Sequence, residues 1–397
     1  MTGLRRLAIP SGDAVLSVLG DVAKALDGGE PLRPVAPRAE AAEAEEWATQ
    51  DLPDNLAVVV GTSGSTGIAK VAMLTADNLM SSATATHDIL GGPGRWLLAL
   101  PAHHIAGLQV LVRSILAGTS PCTLDLDRGF TAPAFVTATQ ELHSSGAPRA
   151  YTALVPTQLS RLLDDPAGAE ALASYDGVLV GGAALNAAER SRARAAGVHV
   201  VSTYGMSETA GGCVYDGTPL AVTEVHIDND HHVVIGGATV ALGYLRQPLL
   251  TRDVFAVDAD GVRWFRTDDL GVLDEDGRLQ VRGRADDLIN TGAFKVAPGP
   301  VEDAVVRFVP GVVDAVVVGT PHPTWGEAVS LTVVMRRGAP KPTVRDVRTA
   351  LRGILPDHAL PQRLLVLDAF PLRGPGKPDR RALAAAFGET LMAQEGS

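Results

Sequence analysis

Between Leu56 and about Val201, short apolar runs alternate with longer amphipathic segments, and nothing else in the chain restricts the fold as strongly. Leu97–Leu100, Tyr151–Val155, Val178–Val180 and Val198–Val201 are nearly uninterrupted apolar runs of strand length. Ile105–Ala117, Pro133–Ser144, Pro156–Leu163 and Ala187–Ala196 carry helical periodicity instead. Strands buried on both faces read as continuous apolar runs, and the helices between them are the crossovers that parallel pairing needs. The expectation is an α/β chain whose large N-terminal domain has mixed and parallel sheets covered by helices.

Ahead of this region, residues 1–55 read as a helical start and then a Pro-rich, acidic surface crossing over Pro31–Glu46. After Tyr204 the pattern changes to a barrel-like β region. Its expected strands are Val222–Ile227, His232–Ile235, Val262–Thr267 and Arg278–Val281, with Asp276-Gly277 as the clearest hairpin signal. From about Asp287, helices over Pro300–Phe308 and Thr343–Ile354 accompany strands over Val312–Val318 and Ala328–Met335. That is a small α+β unit. The charged, Gly-containing stretch Arg282–Asp287 separates the two, giving expected domains of 1–285 and 286–397.

Composition excludes several function classes. Net charge of −11 argues against a broad nucleic-acid surface while leaving room for a local anion pocket. The most apolar windows, such as Ile105–Gly118, contain Gln109 and Arg113 and are too short to span a bilayer. Arg5-Arg6 is followed by only a short apolar patch and Pro10, so no secretory signal is expected. Cys122 and Cys213 are too few for a disulfide framework or a cysteine metal site, which fits a reducing cytoplasm. Expected partners are small molecules; oligomeric state stays open, a homodimer included.

Chemistry first surfaces at Val58-Val-Val-Gly-Thr-Ser-Gly-Ser-Thr-Gly-Ile-Ala-Lys-Val71. Glycines let backbone N–H groups approach a ligand, successive N–H groups form a concave anion site, and hydroxyls add donors. Lys70 would then set a point charge against phosphate oxygens. A Walker loop requires Gly-Lys-Ser/Thr, whereas Lys70 lies between Ala69 and Val71, so that pattern fails. An isolated Gly/Ser turn is the plain alternative. Yet only five of the 34 basic residues are lysines, and Lys70, Lys295 and Lys377 all fall in Gly- or Pro-flanked motifs. Retained lysines among so many arginines suggest a need for a compact, flexible cation.

Four further motifs follow in order: Val180-Gly-Gly-Ala-Ala-Leu185, Thr203-Tyr-Gly-Met-Ser-Glu-Thr209, Trp264–Gly271 leading into Gly283–Asp287, and Pro371–Arg380. The ordered set resembles the adenylate-forming superfamily of acyl-CoA synthetases, peptide-synthetase adenylation domains and luciferases. The resemblance covers about residues 56–385 and implies a two-step reaction. A carboxylate and ATP give acyl-adenylate and pyrophosphate, and a thiol, here that of coenzyme A, then displaces AMP.

By that resemblance Thr62, Ser63, Ser65, Thr66 and Lys70 grip the β- and γ-phosphates, Ser207 also belongs to the ATP-binding set, and Glu208 binds Mg²⁺. Tyr204 offers a flat face to adenine while Gly181, Gly182 and Ala183 allow close backbone approach. Asp269 accepts the ribose hydroxyls with Arg284 assisting. Lys377 is the catalytic lysine of the first step and Asp286 the hinge about which the small domain rotates. Gly292 and Lys295 belong to the segment that enters with coenzyme A. Three departures stand out: Ala69 replaces the usual proline, Asp268 the frequent glycine, and the N-terminal region is shortened relative to the family.

Acyl specificity is expected from Leu100–Arg113, which resembles the family's segment bordering the acyl pocket. A fatty-acyl tunnel has little use for Arg113, because an unpaired buried cation is costly. A second substrate carboxylate would supply its partner. An arginine here resembles that of o-succinylbenzoate–CoA ligases of menaquinone biosynthesis, with His104 over the aromatic ring. Alternatively Arg113 pairs with a structural acid or snorkels to solvent, and His104 is a core histidine. A ligase for another small acid, a carrier-loading adenylation domain and a non-catalytic nucleotide-binding protein remain as competing readings.

Overall fold

The computed structural model describes residues 3–37, 52–62, 70–144, 146, 148–373 and 377–395. One sheet among the described residues has seven strands. Its order is Thr218–Pro219, Gly211–Tyr215, Val200–Met206, Gly177–Val180, Ala150–Leu154, Arg95–Leu98 and Cys122–Thr123. The strands from Val200–Met206 to Cys122–Thr123 pair in parallel. Helices Ile105–Leu116, Ala132–Ser144, Pro156–Leu163 and Ala187–Ala195 lie between them in sequence. Ala150–Leu154 and Gly177–Val180 are buried at every position, as their apolar runs require. Trp96 and Tyr151 anchor one core cluster, and Phe135 and Leu142 anchor the other.

A second sheet runs in the order Arg5–Ala8, Leu32–Val35, Leu56–Gly61, Val71–Thr75 and Gly243–Tyr244. Here the sequence reading needs correction, because the chain starts with a strand and turns helical only from Gly12 to Leu26. Leu32–Val35 is likewise a strand, not a surface crossing, and pairs in parallel with Arg5–Ala8. Paired arginines hid the first strand, and Pro34 argued against the second. Proline is tolerated because, among the described residues, Leu32 opposite Val58 is the single ladder pair with the next strand, leaving Pro34 past that ladder.

Beyond Tyr215 an antiparallel sheet orders Thr223–Ile227, His232–Gly237, Arg263–Leu273 and Phe255–Val257, with Leu279–Arg284 also pairing to Arg263–Leu273. The Asp276-Gly277 hairpin is present: Gly277 N–H donates to Asp274 O at 2.9 Å, and Asp269 comes to stand opposite Arg284. The last sheet orders Phe294–Val296, Ile289–Thr291, Gly326–Met335 and Val312–His322, with Arg363–Leu367 parallel to Gly326–Met335. Helices Pro298–Phe308 and Val344–Leu351 close its core through Val305 and Val347. Among the described residues no helix is long and apolar enough to cross a membrane.

Candidate active site

Ligands of parallel sheets bind beyond the carboxyl ends of the strands. In this molecule Pro101, Val155, Gly181, Gly182 and the Gly205–Glu208 segment all sit at such ends and line one open cleft. Its wall depends on close approach. A Cβ at Gly107 would collide with the Pro101 carbonyl oxygen, and one at Gly205 with the Gly211 carbonyl oxygen.

The glycine-rich loop hangs between antiparallel strands. Gly61 stands opposite Val71, and Thr62 N–H donates to Lys70 O at 2.8 Å, closing the neck. A Walker loop instead opens a helix, so the geometry separates the two as the residue pattern did. Ser63, Ser65 and Thr66 lie outside the described residues. Thr62 lines the cleft, and its buried Oγ1 has no hydrogen-bond partner among the described residues. Lys70 Nζ lies 5.5 Å from the centroid of the Tyr244 ring.

Glu208 projects from a 3₁₀ turn, Ser207–Thr209, at the end of Val200–Met206. Ser207 Oγ donates to Gly61 O at 3.1 Å and docks this turn on the loop neck. Glu208 is only 6% exposed, and Oε1 accepts the Tyr244 hydroxyl at 2.7 Å. Burial pushes its carboxyl pKa up, opposed by the Tyr244 bond and by Lys70 and Lys377. It is no solvated surface acid. Carboxylate and hydroxyl oxygens at the neck of the glycine-rich loop form a hard donor set of the kind that suits Mg²⁺, with Glu208 and Thr62 the residues that would hold it.

Lys377 lines the same cleft, carried there by the paired short strands Leu372–Arg373 and Lys377–Pro378. Burial lowers its pKa, while the negative charges of Asp269 and Glu208 act in the opposite direction. Asp269 is 9% exposed and accepts the Tyr204 hydroxyl at 2.7 Å. Tyr204 and Ala183 are not part of the cleft lining, whereas Gly181 and Gly182 are. Arg284 reaches Asp269 at 3.5 Å and Asp268 at 3.2 Å, but grips Asp286 with two bonds of 2.7 and 2.9 Å. Gly292 and Lys295 stand on the hairpin of Ile289–Thr291 and Phe294–Val296, outside the cleft lining.

His104 and Arg113 share the helix that forms another wall. His104 is its N-cap, its ring centroid 4.3 Å from that of His103. Burial, then His103 and Lys377, push its pKa down to about 4, so the ring is neutral at pH 7. Arg113 is 3% exposed, with Nη2 donating to the Tyr215 hydroxyl at 3.4 Å and Cζ 4.9 Å from the Trp96 ring centroid. Its Nε is buried and has no partner, and among the described residues no acid forms a salt bridge with it. Among the described residues neither an acid nor solvent accounts for this cation.

Three residues at the site escaped the sequence reading. Tyr215 and Tyr244 act through single hydroxyls in apolar stretches that carry no signal. Gln109 did carry one, as a polar residue inside an apolar helix; its Nε2 donates to Ala210 O at 2.7 Å behind Glu208.

Residues 10–245 match the family of AMP-binding enzymes, and residues 301–377 match the AMP-binding enzyme C-terminal domain. A probable 2-succinylbenzoate–CoA ligase of Mycobacterium tuberculosis is 43% identical over 387 residues, covering 97% of this chain and 98% of that protein. A 2-succinylbenzoate–CoA ligase of a Geobacillus species is 30% identical over 80% of this chain and 66% of its own length. ATP-bound MatB from Rhodopseudomonas palustris superposes with a TM-score of 0.74 at 27% identity, covering 97% of this chain and 79% of that one. o-Succinylbenzoate CoA synthetase (MenE) from Bacillus subtilis, in complex with its acyl-adenylate intermediate, shares the fold with a TM-score of 0.71 at 24% identity, covering 96% and 82%. The matches show an AMP-forming acyl-CoA ligase, with a cleft at the carboxyl ends of a parallel sheet that Thr62 and Lys377 line. The chain belongs to the family of AMP-binding enzymes, the adenylate-forming superfamily.

Proposed function

We propose that this protein is an AMP-forming acid–thiol ligase that converts 2-succinylbenzoate, ATP and coenzyme A into the corresponding CoA thioester, AMP and pyrophosphate. In the first step a substrate carboxylate oxygen attacks the α-phosphorus of ATP, and the bond to pyrophosphate breaks. In the second the CoA thiolate attacks the activated carbonyl carbon, and AMP leaves with the electrons of the C–O bond. In-line displacement needs alignment and charge neutralisation more than acid–base help.

Thr62, Lys70 and the loop between them hold the phosphates, Asp269 the ribose, and Lys377 the oxygens of the reacting centre. Mg²⁺ bound at Glu208 supplies further neutralisation of phosphate charge. Rotation about Asp286 exchanges Lys377 for the Gly292–Lys295 segment, on the side from which the thiol approaches. The two free, buried cysteines and the soluble co-substrates fit work in the cytoplasm.

One observation carries the choice of acid: a buried arginine with no acidic partner among the described residues lines the cleft that Lys377 and Glu208 enter. A buried cation on the wall of the cleft asks for an acid with a second negative group instead of an alkyl tail. Pyrophosphate release with a panel of acids tests the reading. The 2-succinylbenzoate rate should exceed those of fatty and simple aromatic monocarboxylates, with CoA as the acceptor. Equal rates across the panel would leave only a general acyl-CoA ligase, and no release with any acid would leave a nucleotide-binding protein.

Proline at the hinge offers a separate check. Asp286→Pro removes the carboxylate that Arg284 holds and fixes φ at that position. Adenylation and thioester formation from preformed adenylate should then diverge, one falling much further than the other. Normal rates for both would move the hinge elsewhere.

A further inference from the structure

We propose that Tyr244 is a positioning residue that sets the two charged groups of the phosphate site, the Glu208 carboxylate and the Lys70 ammonium, in one fixed arrangement. The inference rests on the reading of Glu208 as the Mg²⁺ ligand and Lys70 as a phosphate ligand. No feature of the sequence marks Tyr244, which lies in the apolar stretch Val240–Leu245.

Two parts of the side chain do separate work. The hydroxyl donates to Glu208 Oε1 at 2.7 Å, and the ring face lies 5.5 Å below Lys70 Nζ. A buried carboxylate without a donor is costly, so the phenol both stabilises Glu208 and selects which oxygen remains free. The ring attracts the ammonium through its quadrupole. Tyrosine suits this task because only two torsions need fixing, and both are held by packing. Tyr244 is 3% exposed, meets the Phe255 ring edge-on at 5.4 Å, and Phe255 stacks on Phe265 at 4.7 Å.

The backbone of the same segment joins the same two elements. Ala241 N–H donates to Glu208 O at 2.9 Å, and Leu245 N–H donates to Val71 O at 2.9 Å, one residue past Lys70. Tyr244 pairs with Ala72 on the strand that leaves the glycine loop, and its own N–H donates to Thr251 Oγ1 at 2.9 Å. The Ala241–Leu245 segment is therefore a strut between the loop exit and the Glu208 turn, with the tyrosine side chain crossing the gap between their charges.

Outer partners of metal-ligating carboxylates typically contribute ten- to a hundredfold in metal affinity. The test is calorimetric titration of ATP into the full-length protein over a series of Mg²⁺ concentrations, with melting temperature measured alongside. Tyr244→Phe keeps the ring and loses the hydroxyl. It should raise the Mg²⁺ concentration for half-maximal ATP binding by about tenfold or more, leaving metal-free ATP binding near native. Tyr244→Leu should weaken metal-free ATP binding as well, by roughly two- to fivefold, because Lys70 loses its ring.

Glu208→Gln separates the two levels of the claim. If it raises the Mg²⁺ requirement while Tyr244→Phe does not, the role of Tyr244 is overturned and that of Glu208 stands. If it leaves the requirement unchanged, the ligand assignment itself fails. In the double variant, Tyr244→Phe should add nothing to Glu208→Gln, because the hydroxyl works through that carboxylate. Additive shifts, or a Mg²⁺ effect that merely tracks a fall in melting temperature, would reduce Tyr244 to a packing residue.

Discussion

Lys377→Ala is expected to lower acyl-adenylate formation by about a hundred- to a thousandfold, the scale of losing one preorganised donor at a developing charge. Thioester formation from preformed acyl-adenylate should stay within a few-fold of native. The asymmetry follows from how the lysine is carried. Lys377 enters the cleft on a two-residue strand paired with Leu372–Arg373, beyond the Arg282–Asp287 joint, and so would leave if the small domain turns about Asp286 as proposed. Its ammonium is the group of interest, and burial lowers its pKa below that of an ordinary lysine. The cation is lost as pH rises through that lowered value. Adenylation should therefore show an alkaline limb at lower pH than free lysine would give, and the variant should lack it. Pyrophosphate exchange and single-turnover thioester formation measure the two steps separately. Equal losses in both would remove the division of labour between them.

The second large effect concerns Arg113. Removing a buried charge-assisted bond costs roughly 1.5–3 kcal/mol. Arg113→Ala should therefore lower kcat/KM for 2-succinylbenzoate by about ten- to a hundredfold, mostly through KM. KM for ATP should hardly move, because the phosphate groups are met by other residues. Arg113→Met, which keeps most of the side-chain volume, should lose about as much and so exclude a cavity as the cause. Stability should not suffer greatly, since no acidic partner is left behind among the described residues. An analogue lacking the carboxylate that is not activated should be a poor substrate for the native enzyme and lose little more in the variant. Native preference for such monocarboxylates, or equal loss on both acids, would sink the assignment.

The parallel sheet was readable because burial on both faces forces long apolar runs such as Val178–Val180, and the intervening helices follow at their own period. Arg5–Ala8 and Leu32–Val35 were not readable. Each has four residues, too few to establish a period, and arginines or Pro34 break the apolar pattern. At the site the same contrast holds. Chemistry that needs an unusual residue in an unusual place, such as Lys377 between Gly376 and Pro378, leaves a mark in the chain. A hydroxyl reaching across 102 positions from Tyr215 to Arg113, or across 36 from Tyr244 to Glu208, leaves none. Arg284 shows a subtler limit. Its place beside Asp269 was expected, but its tighter grip on Asp286 depends on how the turn after Arg284 folds back.

The loop that runs from one strand into an antiparallel neighbour has an electrostatic consequence. Phosphate loops that open a helix gain about half a unit of positive charge from its aligned peptide dipoles, and that charge never moves. Here no helix begins at the loop exit, since Lys70 leads directly into Val71–Thr75. Without a helix dipole, positive potential there rests on the loop's own N–H groups and on discrete cations, and one of these, Lys377, would withdraw if the proposed rotation about Asp286 takes place. On that proposal the cleft would lose part of its hold on a polyanionic leaving group. A lysine departing after the first step would thus weaken the grip on pyrophosphate at the moment its exit makes room for the thiol.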